Sequence, residues 1–240
     1  STYNFHESRD YVDYTDDIYV GYRYFETIPG AAEKVVYPFG YGLSYTSFDV
    51  ETVSAGVVNS NCTSETNKLY AKVRVTNTGK FSGKEVVQVY IAKPQGKLGK
   101  PAKELVAFEK TRELQPGESQ LMILTWEIND MASYDDLGKV KKSAYVLEAG
   151  SYDIYVGTSV RDVTKADYSY ILNHDVITEQ LSAKLVPTSL PKRMLADGSY
   201  EALPQSEPVD TDYSAIGNID PSLTEGVAPC QRAIPYFRFA

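Results

Sequence analysis

Leu69, Ala71, Val73 and Val75 alternate with Tyr70, Lys72, Arg74 and Thr76. A period of two puts one set on a buried face and the other on a wet face, which predicts a strand. Asn77-Thr78-Gly79 then reads as a turn. Val87, Val89 and Ile91 alternate with Gln88 and Tyr90, and Pro94 closes that stretch. Leu105-Val106-Ala107-Phe108 is a further candidate, followed by the turn Pro116-Gly117. Leu121 to Trp126 is apolar on both parities, as expected of a strand covered on both faces. Tyr152, Ile154 and Val156 alternate again after Ala149-Gly150, and Tyr168, Tyr170 and Leu172 close the set. About seven short strands between residues 48 and 176, with no helical stretch, predict an all-β sandwich of immunoglobulin-like size. The Cys-Trp-Cys core signature of true immunoglobulin domains is absent.

The flanks read differently. Residues 1–47 hold nine of the 20 tyrosines. Ile18-Tyr19-Val20-Gly21-Tyr22-Arg23-Tyr24-Phe25 is β-prone and breaks at Pro29-Gly30. In Tyr37-Pro38-Phe39-Gly40-Tyr41-Gly42-Leu43-Ser44-Tyr45, two glycines flank an aromatic, which suggests a tight turn lying close to another surface. One or two strands cannot bury a core of their own, so this stretch reads as the end of a larger domain. Residues 177–240 hold seven of the 12 prolines, and between Asp197 and Glu225 there are seven acidic residues and no Lys or Arg. That composition reads as an extended acidic, Pro-rich linker or tail.

Composition narrows the chemistry. The net charge of −8 argues against a nucleic-acid partner, which needs clustered Lys and Arg. No apolar run approaches the roughly 18 residues of a membrane span. Ser1-Thr2-Tyr3-Asn4-Phe5 shows no signal sequence, and this, with only two cysteines, favours a cytoplasmic origin. Cys62 and Cys230 are too few for a disulfide scaffold or a Cys-based zinc site. The acidic tail lacks the Asp-x-Asp-x-Asp-Gly spacing of a calcium loop. No metal and no cofactor are therefore expected.

The aromatic segment Asp17 to Glu26, followed by Tyr37-Pro38-Phe39-Gly40-Tyr41-Gly42-Leu43-Ser44-Tyr45, closely resembles glycoside hydrolase family 3, the β-glucosidase and β-xylosidase family. The resemblance continues through Gly83 to Ile91, Pro101 to Lys110, Leu114 to Ser119, Met131 to Asp135 and Glu148 to Gly157, in family order. It implies that residues 1–47 are the terminal segment of an α/β sandwich domain. Residues 48–176 would be a fibronectin type III-like domain, and 177–240 a linker or tail. A long tail is a departure from the common family pattern; it resembles the arrangement in which further domains, including the catalytic barrel, follow. The implied parent activity is hydrolysis of terminal β-D-glucosyl residues with retention, which needs an Asp nucleophile and a carboxylic acid/base about 5 Å apart. The family carries the nucleophile on a (β/α)8 barrel and the acid/base upstream of the Tyr-rich segment, and neither position exists here. No catalytic residue is assigned. The implied role is a structural strut, and the implied partners are the α/β body and the barrel, with substrate met only through the parent enzyme.

Other residues carry competing readings. Asp16-Asp17 and Asp135-Asp136 read as solvated turn residues, since strand neighbours point to opposite faces and cannot share an acid/base role. Glu26 is expected to pair with a Lys or Arg, and Arg23 with a carboxylate across a domain seam. His6 and His174 lack partners for base catalysis. Asn61-Cys62-Thr63 fits the glycosylation acceptor pattern but reads as a chance occurrence. The Tyr-rich segment reads as an inter-domain seam or as a sugar-stacking wall. An alternative class is a carbohydrate-binding module, with Tyr70, Tyr90 and Tyr155 forming a flat platform on the sandwich.

Overall fold

The computed structural model describes residues 11–58, 67–182, 190–204 and 236–238. His6, Asn61-Cys62-Thr63, Cys230 and the acidic run beyond residue 204 lie outside the described residues. In chain order the elements are β1 (Tyr11–Asp13), the helical turn α1 (Tyr22–Phe25), β2 (Phe48–Val57), β3 (Lys68–Asn77), β4 (Val86–Ala92), β5 (Glu104–Lys110) and β6 (Ser119–Glu127). They continue with β7 (Ser133–Asp135), β8 (Ala144–Leu147), β9 (Gly150–Gly157), β10 (Val163–Leu172), β11 (Val176–Gln180), β12 (Lys192–Met194), β13 (Tyr200–Ala202) and β14 (Tyr236–Arg238).

The chain divides into two units. The larger, Ile18–Leu181, is an all-β sandwich. One sheet has the order β2-β3-β6 and the facing sheet β10-β9-β4-β5, all neighbours antiparallel. A small third sheet, β11-β8-β7, lies within the same unit. The alternating positions do what their period requires. Leu69, Ala71, Val73 and Val75 of β3 face inward, against Val87, Val89 and Ile91 of β4 and Tyr152, Ile154 and Val156 of β9. Burial of each large apolar side chain contributes about 1.5–3 kcal/mol, so this layer holds the two sheets together. Trp126 of β6, paired in register with Leu69, fills the same core.

The smaller unit joins Ser1–Asp17 to Ser182–Ala240. There β1 pairs in parallel with β14, and β12 pairs with β13 as a hairpin. The Met194 amide donates to the Thr15 carbonyl at 2.8 Å. Arg193, buried within the hairpin, donates to Glu201 at 2.6 Å and lies 3.8 Å from Asp17.

Three local expectations are corrected. The β-prone stretch Ile18–Phe25 is no strand. Gly21 takes φ 56°, and the next four residues form α1, with Phe25 N–H donating to the Gly21 carbonyl and Glu26 N–H to the Tyr22 carbonyl. Propensity yields here to the contacts that Tyr22 makes, described below. Leu121–Trp126 is not covered on both faces. The face of β6 opposite the core is open to solvent, like Arg74 beside it on the central strand β3, leaving Leu121 and Ile123 50% and 59% exposed while Met122, Leu124 and Trp126 are buried. The strand covered on both faces is β4, where Gln88 and Tyr90 are buried along with Val87, Val89 and Ile91.

Candidate functional site

The polar face of β4 is covered by the aromatic segment 18–47. Tyr22 is the centre of that cover. Its ring stacks on Phe39 at 4.5 Å and meets the Tyr90 ring edge-on at 6.2 Å, and its hydroxyl accepts the Leu105 amide of β5 at 2.9 Å. Tyr90 donates its hydroxyl to Gln88, and Gln88 in turn donates to the carbonyls of Thr158 at 2.6 Å and Gly40 at 3.4 Å. Burial, with Tyr22 and Glu26 adding to it, pushes the Tyr90 phenol well above its ordinary value, so it stays a neutral donor. Gly40 sits at φ 83°, and a Cβ there would lie 2.3 Å from the Gln88 side chain. This is the close approach that the Gly-Tyr-Gly pattern requires.

Polar clamps fix the rest of the segment. Arg161, in the β9–β10 turn, grips the Glu26 carboxylate through Nε at 2.9 Å and Nη2 at 2.8 Å, and donates to the Ala32 carbonyl at 3.0 Å. Thr27 Oγ1 accepts the Ala102 amide at 2.8 Å, and the Phe39 carbonyl accepts the Val160 amide at 3.0 Å. Arg23 lies 3.6 Å from Glu104, which also pairs with Lys93. Burial holds the Lys93 ammonium below its ordinary range, against the pull of Glu104. Glu26 and Arg23 thus find the partners expected of them by type, from within the sandwich unit itself.

The outer side of the segment is bare. Val36, Leu43 and Tyr45 are 82%, 90% and 95% exposed. Tyr37 and Tyr41, also exposed, stack on each other at 5.2 Å. Beside them a cavity of about 340 Å³ is walled by Tyr22, Phe25, Glu26, Tyr37 and Phe39. So many large apolar side chains in one short segment mark an interaction surface.

The remaining sequence candidates fall apart as a chemical site. Tyr90 is fully buried, so Tyr70, Tyr90 and Tyr155 make no flat platform. Tyr70 lies on β3 in one sheet, whereas Tyr90 and Tyr155 are register partners in the other. Parity alone does not reveal this, because the face opposite the core is covered by a segment distant in sequence: Gly40 meets Gln88 at a separation of 48 positions and Tyr22 meets Leu105 at 83. Asp135 and Asp136 are buried rather than solvated, and Asp135 is a structural acceptor. Its carboxylate takes the amides of Gly138, Lys139, Val140 and Lys141 at 2.6–3.0 Å. Burial opposes its charge, but the four amides outweigh that and hold its carboxyl below the ordinary value. His174 lies exposed between β10 and β11. Among the described residues no cluster of three or more His, Cys, Asp or Glu is placed to hold a metal.

Sequence reasoning also missed residues that matter. Lys100 and Glu148 form a fully buried ion pair, and Glu148 further accepts the amides of Lys97 and Leu98. Arg161 clamps Glu26 across 135 positions. No local pattern announces pairs of such separation.

The fibronectin type III-like domain family matches residues 85–160. Beta-glucosidase A of Butyrivibrio fibrisolvens is 62% identical over 90% of this chain. A solved β-glucosidase from Paenibacillus barengoltzii is 46% identical and superposes with a TM-score of 0.73 over 86% of the chain. The GH3 β-glucosidase of Bifidobacterium adolescentis is 32% identical, with a TM-score of 0.59 over 71% of the chain. The first two matches extend further along this chain than the third. In each case the chain spans only about a quarter of the relative, 27%, 23% and 23%. The ordered motifs, the sandwich and these likenesses agree: this chain belongs to glycoside hydrolase family 3, of which it carries the fibronectin type III-like part.

Proposed function

We propose that the chain is the non-catalytic, structural portion of a retaining β-glucosidase that hydrolyses terminal β-D-glucosyl residues. The observation that carries this is the two-sided character of segment 18–47. One side is clamped to the sandwich by Tyr22, Gln88 and the Arg161–Glu26 pair, and the other presents Val36, Tyr37 and Tyr45 to solvent. Such a segment is built to fix a second body against the sandwich. Residues 1–47 then carry the chain out of an α/β body, residues 48–176 form the sandwich, and residues 177–240 lead towards the catalytic barrel. The chemistry explains the need for rigidity. Two carboxylates about 5 Å apart must attack and protonate one glycosidic bond. When they sit on different domains, an error of about 0.5 Å in domain placement is felt in rate. A strut that holds both domains earns selection without touching substrate.

The test is complementation. Beta-glucosidase A of Butyrivibrio fibrisolvens, lacking its matching segment, is mixed with this chain and assayed on a chromogenic β-glucoside. Activity is expected from the mixture and from neither part alone. Hydrolysis by this chain alone, or full activity of the truncated enzyme without it, overturns the proposal.

A further inference from the structure

A second cavity, of about 530 Å³, opens on the sandwich unit between the Gly40–Ser44 loop, the start of β4, the end of β5 and the β9–β10 turn. Its volume lies within the roughly 300–1,000 Å³ of small-molecule sites. Two carboxylates, Glu85 and Asp162, and two ammonium groups, Lys84 and Lys110, line it with Tyr41. None of the four charged side chains forms an ion pair among the described residues.

The acceptors are only half used. Glu85 Oε1 takes the Val86 amide at 2.7 Å and Asp162 Oδ2 takes the Thr158 hydroxyl at 2.5 Å. Glu85 Oε2 and Asp162 Oδ1 have no hydrogen-bond partner among the described residues. Burial pushes the Glu85 carboxyl up, with Asp162 adding to it, against the Val86 amide and Lys110. A hydroxyl donated to such a carboxylate relieves that cost.

We propose that this cavity binds a neutral mono- or disaccharide. Sugar hydroxyls each donate and accept, so they match a lining that offers carboxylate acceptors and ammonium donors in equal number. The balanced charge favours neither an anion nor a cation. Tyr41, 49% exposed, supplies an aromatic face for the apolar C–H face of a sugar ring. The inference stands on the lining of the cavity as the chain alone presents it; Tyr41 and Leu43 are shared with the exposed strip of segment 18–47.

The whole 240-residue chain is titrated with cellobiose, followed by saturation-transfer NMR and calorimetry. Millimolar binding is expected. Tyr41→Ala and the double variant Lys84→Ala/Lys110→Ala remove exposed side chains and should each weaken it about tenfold or more. Tyr134→Ala, on the β7 strand, should change nothing. No binding, binding that survives all these variants, or preference for inorganic phosphate over cellobiose each overturns the proposal. Because the readout is binding by the chain itself, a failed complementation assay leaves this result standing, and the reverse holds too.

Discussion

Asn77 shows how much one buried amide can hold. It is fully buried at the end of β3, and its side chain donates to the carbonyls of Phe81 and Leu114, both at 2.8 Å. Its carbonyl oxygen accepts from Thr46 Oγ1 at 2.7 Å and from the Gly79 amide at 3.0 Å. Asn77→Ala removes all four of these hydrogen bonds at a fully buried position and should cost about 2–4 kcal/mol in urea unfolding. Asn77→Asp points a second acceptor at those carbonyls. It should be at least as damaging at neutral pH and partly recover in acid, where a protonated carboxyl can donate again. Glycines give a second contrast at this scale. A Cβ on Gly157 would lie 1.9 Å from the Asp162 carbonyl oxygen, whereas Gly117, at φ 78°, has open space around it. Gly157→Ala should therefore cost about 3 kcal/mol or more and Gly117→Ala only about 1 kcal/mol, read from the same unfolding curves. From sequence, Asn77-Thr78-Gly79 is legible as a turn because turn chemistry is local. That the same amide ties residues 46, 81 and 114 together is not, because three different loops supply its partners.

Two loops are organised by one buried carboxylate each. Glu148 gathers Lys100 and the amides of Lys97 and Leu98, which pins the loop between β4 and β5. Lys100→Met leaves that carboxylate buried without its cation and should cost about 3–5 kcal/mol, whereas pairing it with Glu148→Gln should recover part of the loss. Thermal unfolding of the two variants separates these outcomes. Asp135 does the same for the loop between β7 and β8 through four amides. Its folded carboxyl titrates below the ordinary value, so its contribution is fully present above the unfolded carboxylate pKa of about 3.9. That contribution is lost as pH falls through the lower, folded value. Asp135→Asn should flatten the acid limb of the stability–pH curve and lower stability at neutral pH by about 2 kcal/mol. Elements were legible where period and burial agree, as in β3 and β9. They were misread where a distant segment changes what covers a face. Gln88 and Tyr90 look wet by parity and are buried by Tyr22 and Gly40. Leu121 and Ile123 look buried by type and are exposed because nothing covers the outer face of the β2-β3-β6 sheet there. Tyr22 looks like a strand residue and sits in a helical turn, because its ring and hydroxyl are both engaged by the sandwich.

At the scale of the molecule, the two sides of segment 18–47 can be separated by mutation. Arg161→Ala removes the clamp on Glu26 and on the Ala32 carbonyl, so it should loosen the segment from the sandwich. Limited proteolysis of the chain alone would detect this as faster cutting near residue 32 with the sandwich core left intact. Val36→Asp with Tyr45→Ser acts on the opposite side, where both side chains are more than four-fifths exposed. This pair should leave the unfolding midpoint of the isolated chain unchanged, since neither side chain is packed, and should improve solubility by breaking an apolar patch. In the complementation assay it should cut the recovered activity by about tenfold or more, because a charge forced into an apolar interface costs more than about 1.4 kcal/mol. The sign of the comparison is what matters. A strut predicts that stability follows the inner face and recovered activity follows the outer face. If Val36→Asp/Tyr45→Ser destabilises the isolated chain, the outer face belongs to this unit's own core. If the pair leaves complementation intact, the exposed aromatic strip is not where the rest of the enzyme docks, and the two-sided reading of the segment falls.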